Sequence, residues 1–164
     1  MKFNYFSVFL LLTLVSCGQS TTDEIYNENN TRVINGIVYD IKEKPINGIY
    51  KTYYPDGNVR MEVSSRNGLP NGEGKFYDED GILCYTVSFS QGQLDGTLYN
   101  YYTNGQIHNE LNYRAGVMHG TQKIFTDQGE LITEVEYENG KAVKGYTIIE
   151  NENINFSEEE LLKL

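Results

Sequence analysis

The sequence predicts an all-β fold, a meander of antiparallel β-hairpins built on a 24-residue repeat. Three observations carry that reading. Glycines recur at 48, 72, 96 and 120, again at 57, 81, 105 and 129, and again at 68, 92, 116 and 140, always 24 residues apart. Sixteen glycines and fourteen tyrosines in 164 residues, without a long helical pattern, favour turns and strands over helices. Between the glycines, apolar and polar residues alternate with period two, as a half-buried antiparallel sheet requires.

Residues 1–17 read MKFNYFSVFLLLTLVSC. Lys2 precedes an apolar run from Val8 to Val15, far short of the roughly 20 residues a membrane-spanning helix needs. A charged start, a short apolar centre and a small residue at the end describe a secretory signal peptide over residues 1–16. Its end, Leu14-Val15-Ser16-Cys17, resembles the lipobox of bacterial lipoproteins. The resemblance implies that Cys17 is lipidated on sulfur, becomes the N-terminus after cleavage and anchors the protein in the cell envelope. In enteric bacteria Asp after that cysteine retains a lipoprotein in the inner membrane. Gly18 stands there instead, pointing to the outer membrane if the cell is Gram-negative. With Cys17 consumed, Cys84 is the only other thiol and no intramolecular disulfide can form. Residues 17–32 are polar and read as a flexible tether.

The repeat units are 45–68, 69–92, 93–116 and 117–140, followed by a fifth start at Lys141 in which Gly145 falls one place late. Each unit centres on a turn: Pro55-Asp56-Gly57, Glu79-Asp80-Gly81, Thr103-Asn104-Gly105, Asp127-Gln128-Gly129. Pro55 suits the first position of a type I turn and Gly57 the left-handed position after it, so the loop has three residues and pairs 54 with 58. Gly57, Gly81, Gly105 and Gly129 are thus the structural turn residues. Counted outward from that loop, the apolar columns are 53 (Tyr53, Tyr77, Tyr101, Phe125), 59 (Val59, Leu83, Ile107, Leu131), 63 (Val63, Val87, Leu111, Val135) and 65 (Ser65, Phe89, Tyr113, Tyr137). They share one face, and Arg60, Cys84, His108, Glu62, Glu110 and Glu134 fall on a wet face, the three glutamates forming a same-sign ladder.

The run Asn71-Gly72-Glu73-Gly74-Lys75-Phe76-Tyr77-Asp78-Glu79-Asp80-Gly81 resembles a MORN-type repeat, and the four-unit array over residues 33–146 resembles the bacterial MORN-variant family, some members of which are labelled antitoxins. The resemblance implies consecutive hairpins joined into one elongated, single-layer antiparallel sheet with stability summed along the array. Leu98 and Gln122 depart from the pattern where Gly74 stands. Such an array needs capped ends. Val33–Ile41 is expected to supply a first capping strand. In the C-terminal cap, residues 147–164, Ser157-Glu158-Glu159-Glu160 matches a capping box, so a short helix should lay Leu161, Leu162 and Leu164 over the last strand edge.

The net charge of -10 argues against nucleic acid and anionic lipid surfaces as partners. His108 and His119 lack a third ligand at metal spacing, so no metal is expected. Cys84 reads as a passive thiol, the carboxylates line no cleft, and no glycine-rich loop opens a helix. Neither cofactor nor enzymatic activity is expected. The sharpest remaining feature is aromatic: Tyr53, Tyr77, Tyr101 and Phe125, alongside Tyr54, Tyr99 and Tyr102, form a candidate binding surface as well as part of the packing. The expected protein is a lipid-anchored envelope scaffold that binds a protein or polymer without catalysis. The alternative is an antitoxin or immunity protein neutralising a toxin in the envelope.

Overall fold

The computed structural model describes residues 24–149 and 152–164; the signal peptide, Cys17 and the first part of the expected tether lie outside them. Strand β1 (Glu24–Asn27) opens the chain, followed by β2 (Thr31–Ile34) and β3 (Ile37–Asp40). The repeats form β4 (Gly48–Tyr53), β5 (Val59–Arg66), β6 (Leu69–Tyr77), β7 (Leu83–Ser90), β8 (Gln93–Tyr101), β9 (Ile107–Arg114), β10 (Val117–Met118), β11 (Gly120–Phe125) and β12 (Leu131–Glu138). Strands β13 (Lys141–Ile149) and β14 (Glu152–Asn155) and the short helix α1 (Glu158–Leu161) close it. One 12-stranded sheet runs β1-β4-β5-β6-β7-β8-β9-β11-β12-β13-β14, with β10 on β9, while β2 and β3 form their own hairpin.

Two turn types alternate along the sheet. On one rim Tyr54 N donates to Asn58 O at 2.8 Å and Gly57 N to Tyr54 O at 3.0 Å, the expected three-residue loop, with Gly57 at φ 95°. The other rim carries two-residue loops such as Asn67-Gly68, where φ is 53° and 75°, the conformation that matches strand twist. Both rims are stapled from unit to unit. Gly68, Gly92, Gly116 and Gly140 donate to the carbonyls of Ile46, Pro70, Leu94 and Met118 at 2.7–2.9 Å. Asn47, Asn71 and Asp95 side chains accept from the backbone N–H of Asn67, Gln91 and Ala115 at 3.0–3.2 Å.

The core is a narrow strip. Val63, Val87 and Val135 are buried in one column, with Leu98, Leu111 and Gln122 completing it in register. Gln122 does more than fill space: its Oε1 accepts from Asn112 N at 2.7 Å and its Nε2 donates to Asn112 O at 2.9 Å. A side-chain amide thereby satisfies the Asn112 N–H and shares the Asn112 carbonyl with the His119 N–H, which donates to it at 3.0 Å. Ile46, the largest fully buried residue, sits where the β2–β3 hairpin meets the array, its N–H bonded to Val38 O.

Both ends differ from expectation. Residues 24–27, read as tether, form β1, a strand parallel to β4 with Glu24 opposite Gly48 and Asn27 opposite Lys51. Gly48 permits it: a Cβ there would sit 2.1 Å from Glu24 O. Val33–Ile41 caps no strand edge but folds as the separate β2–β3 hairpin and docks through Val38 N on Gly68 O at 2.9 Å. The expected helix forms with its capping box, Ser157 accepting from Glu160 N while the Glu160 carboxylate accepts from Ser157 N at 2.8 Å. Of its leucines only Leu161 turns to the sheet, half-buried beside Val143, Tyr146 and Phe156, whereas Leu162 is 87 % and Leu164 59 % exposed. Strand β14 covers the edge instead. Gly145 turns out to face Val135 as Gly74 faces Val63, and Phe156 packs where a Cβ on Gly145 would be.

Candidate functional site: the aromatic face of the sheet

The strand register decides which side chains look outward together. One ladder of direct cross-strand pairs runs Lys51, Glu62, Lys75, Thr86, Tyr99, Glu110, Lys123, Glu134, Tyr146. The opposite face carries Met61, Phe76, Tyr85, Asn100, Asn109, Ile124 and Thr133 in one ladder, with the valine column beside it.

The 53 column lies on the lysine–glutamate face, not over the valines. Thr52 pairs with Met61, yet Tyr53 pairs with Val59, so residue 60 is an extra residue in a β-bulge. The same shift recurs at 76/77, 100/101 and 124/125. One inserted residue reverses the alternation beyond it, which moves columns 53 and 59 to the face opposite 61, 63 and 65. The hydroxyl contacts agree: Tyr77 donates to the Glu62 carboxylate at 3.1 Å, and Tyr101 OH lies 3.1 Å from Thr86 Oγ1. Arg60 crosses the other way, its Nε donating to Thr52 Oγ1 at 3.2 Å. Arg60 and Cys84 therefore line a groove with Tyr54, Met61, Phe76 and Tyr85 on the valine side, where Phe76 and Tyr85 stack at 4.3 Å.

Of the seven aromatic candidates, the register gathers Tyr53, Tyr77, Tyr99, Tyr101 and Phe125 on one face, with Tyr99 and Tyr101 rings 6.4 Å apart. Tyr54 and Tyr102 stand apart as half-buried staples: Tyr54 OH donates to Tyr77 O at 2.8 Å and Tyr102 OH to Phe125 O at 2.9 Å. The intervening units put Asp78 and Thr126 in that column, and these cap their own turns through Ile82 N and Glu130 N. These staples were missed from sequence, although the 24-residue alternation of Tyr with a short polar residue is visible there.

The expected same-sign glutamate ladder is also corrected. Return strands interleave Lys51, Lys75 and Lys123 between Glu62, Glu110 and Glu134. Lys51 Nζ lies 2.8 Å from the Glu62 carboxylate. Its hydrogen bond, helped by that from Tyr77, holds the Glu62 carboxyl below its ordinary value despite partial burial. Burial and then the Glu62 contact push the Tyr77 phenol upward, so it stays a neutral donor. The centre of the face, Tyr77, Thr86, Tyr99 and Tyr101, is uncharged and rich in hydroxyls, with the Lys51–Glu62 ion pair on one side and Glu110, Lys123 and Glu134 on the other.

The His108 ring lies tilted by 40° against Tyr102, centroids 4.4 Å apart, and His119 donates its backbone N–H to Asn112 O. Among the described residues no three His, Cys, Asp or Glu side chains cluster to hold a metal, and no helix is long and apolar enough to cross a membrane.

The four hairpin units coincide, within one residue at each end, with matches to the MORN repeat variant family at residues 46–67, 70–91, 94–115 and 118–139. The chain belongs to that family. As in other repeat proteins, each MORN-variant unit leans on its neighbours rather than on a central core. No curated protein matches the sequence. Several solved structures are similar to the chain, among them two with the following overlap. The Glycosylation Associate Protein (Gap123) complex from Streptococcus agalactiae matches at 16 % identity and TM-score 0.44, covering 88 % of this chain and 26 % of that one. An S. aureus TarM mutant in complex with fondaparinux, alpha-GlcNAc-glycerol and UDP matches at 11 % identity and TM-score 0.28, covering 76 % of this chain and 21 % of that one. The chain spans only about a quarter and a fifth of those two chains.

Proposed function

We propose that this MORN-variant protein is a lipid-anchored component of a bacterial cell envelope, whose sheet binds another envelope protein or an envelope polymer without catalysis. One observation carries the binding role: four aromatic rings repeating every 24 residues on one sheet face, joined there by Tyr99, with an uncharged hydroxyl-rich centre beside the Lys51–Glu62 ion pair. Tyrosine provides large contact area at small entropic cost, and the fixed spacing suits an extended ligand. The anchor rests on the signal peptide and the Leu14-Val15-Ser16-Cys17 sequence.

The test is fractionation followed by capture. The wild type should sediment with membranes and the Cys17→Ser variant should not. Cross-linking in intact cells should then trap one stoichiometric protein, or a glycan polymer, on the aromatic face. A secreted toxin as the trapped species would assign the immunity role. Unchanged membrane association of Cys17→Ser would overturn the anchor, and absence of any saturable ligand would overturn the scaffold.

A further inference from the structure

The array is electrically polar along its length. Residues 24–66, which hold β1 to β5, carry six basic and six acidic side chains. Residues 67–164 carry six basic and sixteen acidic side chains, so the whole formal charge of -10 resides in the later units. The sheet orders these regions in space. Strand β1 is the first edge and β14 the last, with eleven strands in sequence between and including them. At about 4.8 Å per strand the neutral and acidic ends lie roughly 45–50 Å apart.

Strand β1 also sets the distance to the anchor. The proposed lipid sits on Cys17, and Glu24 is already paired with Gly48. Seven Cα steps reach at most about 25 Å, whereas a tether running to residue 32 would have reached about twice as far. We infer that the MORN-variant sheet stands upright on an anionic membrane, with its neutral β1 edge beside the bilayer and its acidic units held away. This orientation rests on the lipid anchor proposed above. Anionic lipids give the surface a negative potential that decays over a Debye length of about 8 Å. Lying flat would bring the acidic units into that layer, while standing upright puts β6 roughly 15 Å from the β1 edge, about two Debye lengths, and the last strands about 40 Å or more away. The distal units, β11 to β14 with α1, are then the part presented to partners beyond the surface.

Energy transfer to a membrane-surface acceptor reads the orientation. The full chain, processed and lipidated in a bacterial host, carries Cys84→Ser and one new labelling site, Asn29→Cys or Leu164→Cys. It is reconstituted in vesicles of phosphatidylcholine with phosphatidylglycerol. The Asn29 label should transfer strongly and the Leu164 label several-fold less. Transfer from Leu164 should rise on pure phosphatidylcholine, or at about 1 M salt, where the Debye length shrinks to about 3 Å. A folded variant with Glu79, Asp80, Asp127 and Glu130 changed to Lys should show the same rise on anionic vesicles. Equal transfer from the two labels on anionic vesicles, in vesicle-bound protein, would overturn the upright orientation alone. Protein lacking the acyl mass and failing to bind vesicles would overturn the anchor, and the orientation with it.

Discussion

The Tyr54 hydroxyl donates to the backbone carbonyl of Tyr77 at 2.8 Å, and 48 residues later Tyr102 makes the same bond to Phe125 at 2.9 Å. Each bond ties one hairpin to the next across a boundary where the array has little buried apolar surface. Asn58 and Asn104 add bonds to Glu79 O and Asp127 O at 2.9 and 2.8 Å. In a linear array such contacts set the coupling between units, and with it the cooperativity of unfolding.

Tyr54→Phe and Tyr102→Phe should each lose about 1 kcal/mol of stability, the net worth of one hydrogen bond, measured by urea denaturation. The double variant should also unfold over a broader range, because coupling between units is weakened. An unchanged midpoint would show that the two hydroxyls are not staples.

Gln122→Leu should cost about 1–3 kcal/mol by the same measurement, since it strands the Asn112 N–H, while the Asn112 carbonyl keeps the His119 N–H. Leu98, which fills the equivalent place between Val87 and Leu111, shows that size alone is tolerated in that column. A neutral effect at 122 would mean that water replaces the amide.

Glycine positions separate strain from collision. Gly81 has φ 78° and open space where a Cβ would go, so Gly81→Asn should fold normally while Gly81→Val is destabilised by about 1–2 kcal/mol. Gly96 has φ 111°, and a Cβ there would meet the Ser88 Cβ at 2.9 Å. Gly96→Ala should therefore lower the melting temperature more than Gly81→Ala does. The reverse order would contradict the register around the β7–β8 pair.

The ion pair of Lys51 with Glu62 gives acid sensitivity of known sign. Because folding lowers the Glu62 pKa below 4.5, its contribution is complete above that ordinary value and disappears as pH falls through the lowered one. Glu62→Gln should be less stable than wild type at neutral pH, and the gap should narrow in acid. Parallel stability curves down to about pH 2 would exclude this linkage.

Much of the fold was legible because turn chemistry is local. Pro55 and Gly57 specify a three-residue loop, Ser157 and Glu160 specify a helix start, and both form. Column 63 was legible because its valines lie between bulges, where alternation holds. The face of Tyr53, Tyr77, Tyr101 and Phe125 was not, because alternation was carried unbroken across residue 60 and its equivalents, where the chain holds one residue more than its partner. No side-chain preference marks that residue: Arg60, Cys84, His108 and Ile132 share the column. Strand β1 escaped for a different reason. Its polar residues resemble a linker, and its pairing is decided by Gly48, 24 residues away.

The central claim is that the face bearing Tyr77, Tyr99 and Tyr101 binds a partner in the envelope. The most direct measurement is quantitative capture from native membranes with three lipidated proteins: wild type, Tyr53→Ala with Tyr99→Ala, and Phe76→Ala on the valine side, each first shown to be folded. The account predicts a saturable partner held by wild type and by Phe76→Ala and lost from the double variant. Equal capture by all three, or loss only with Phe76→Ala, would contradict it.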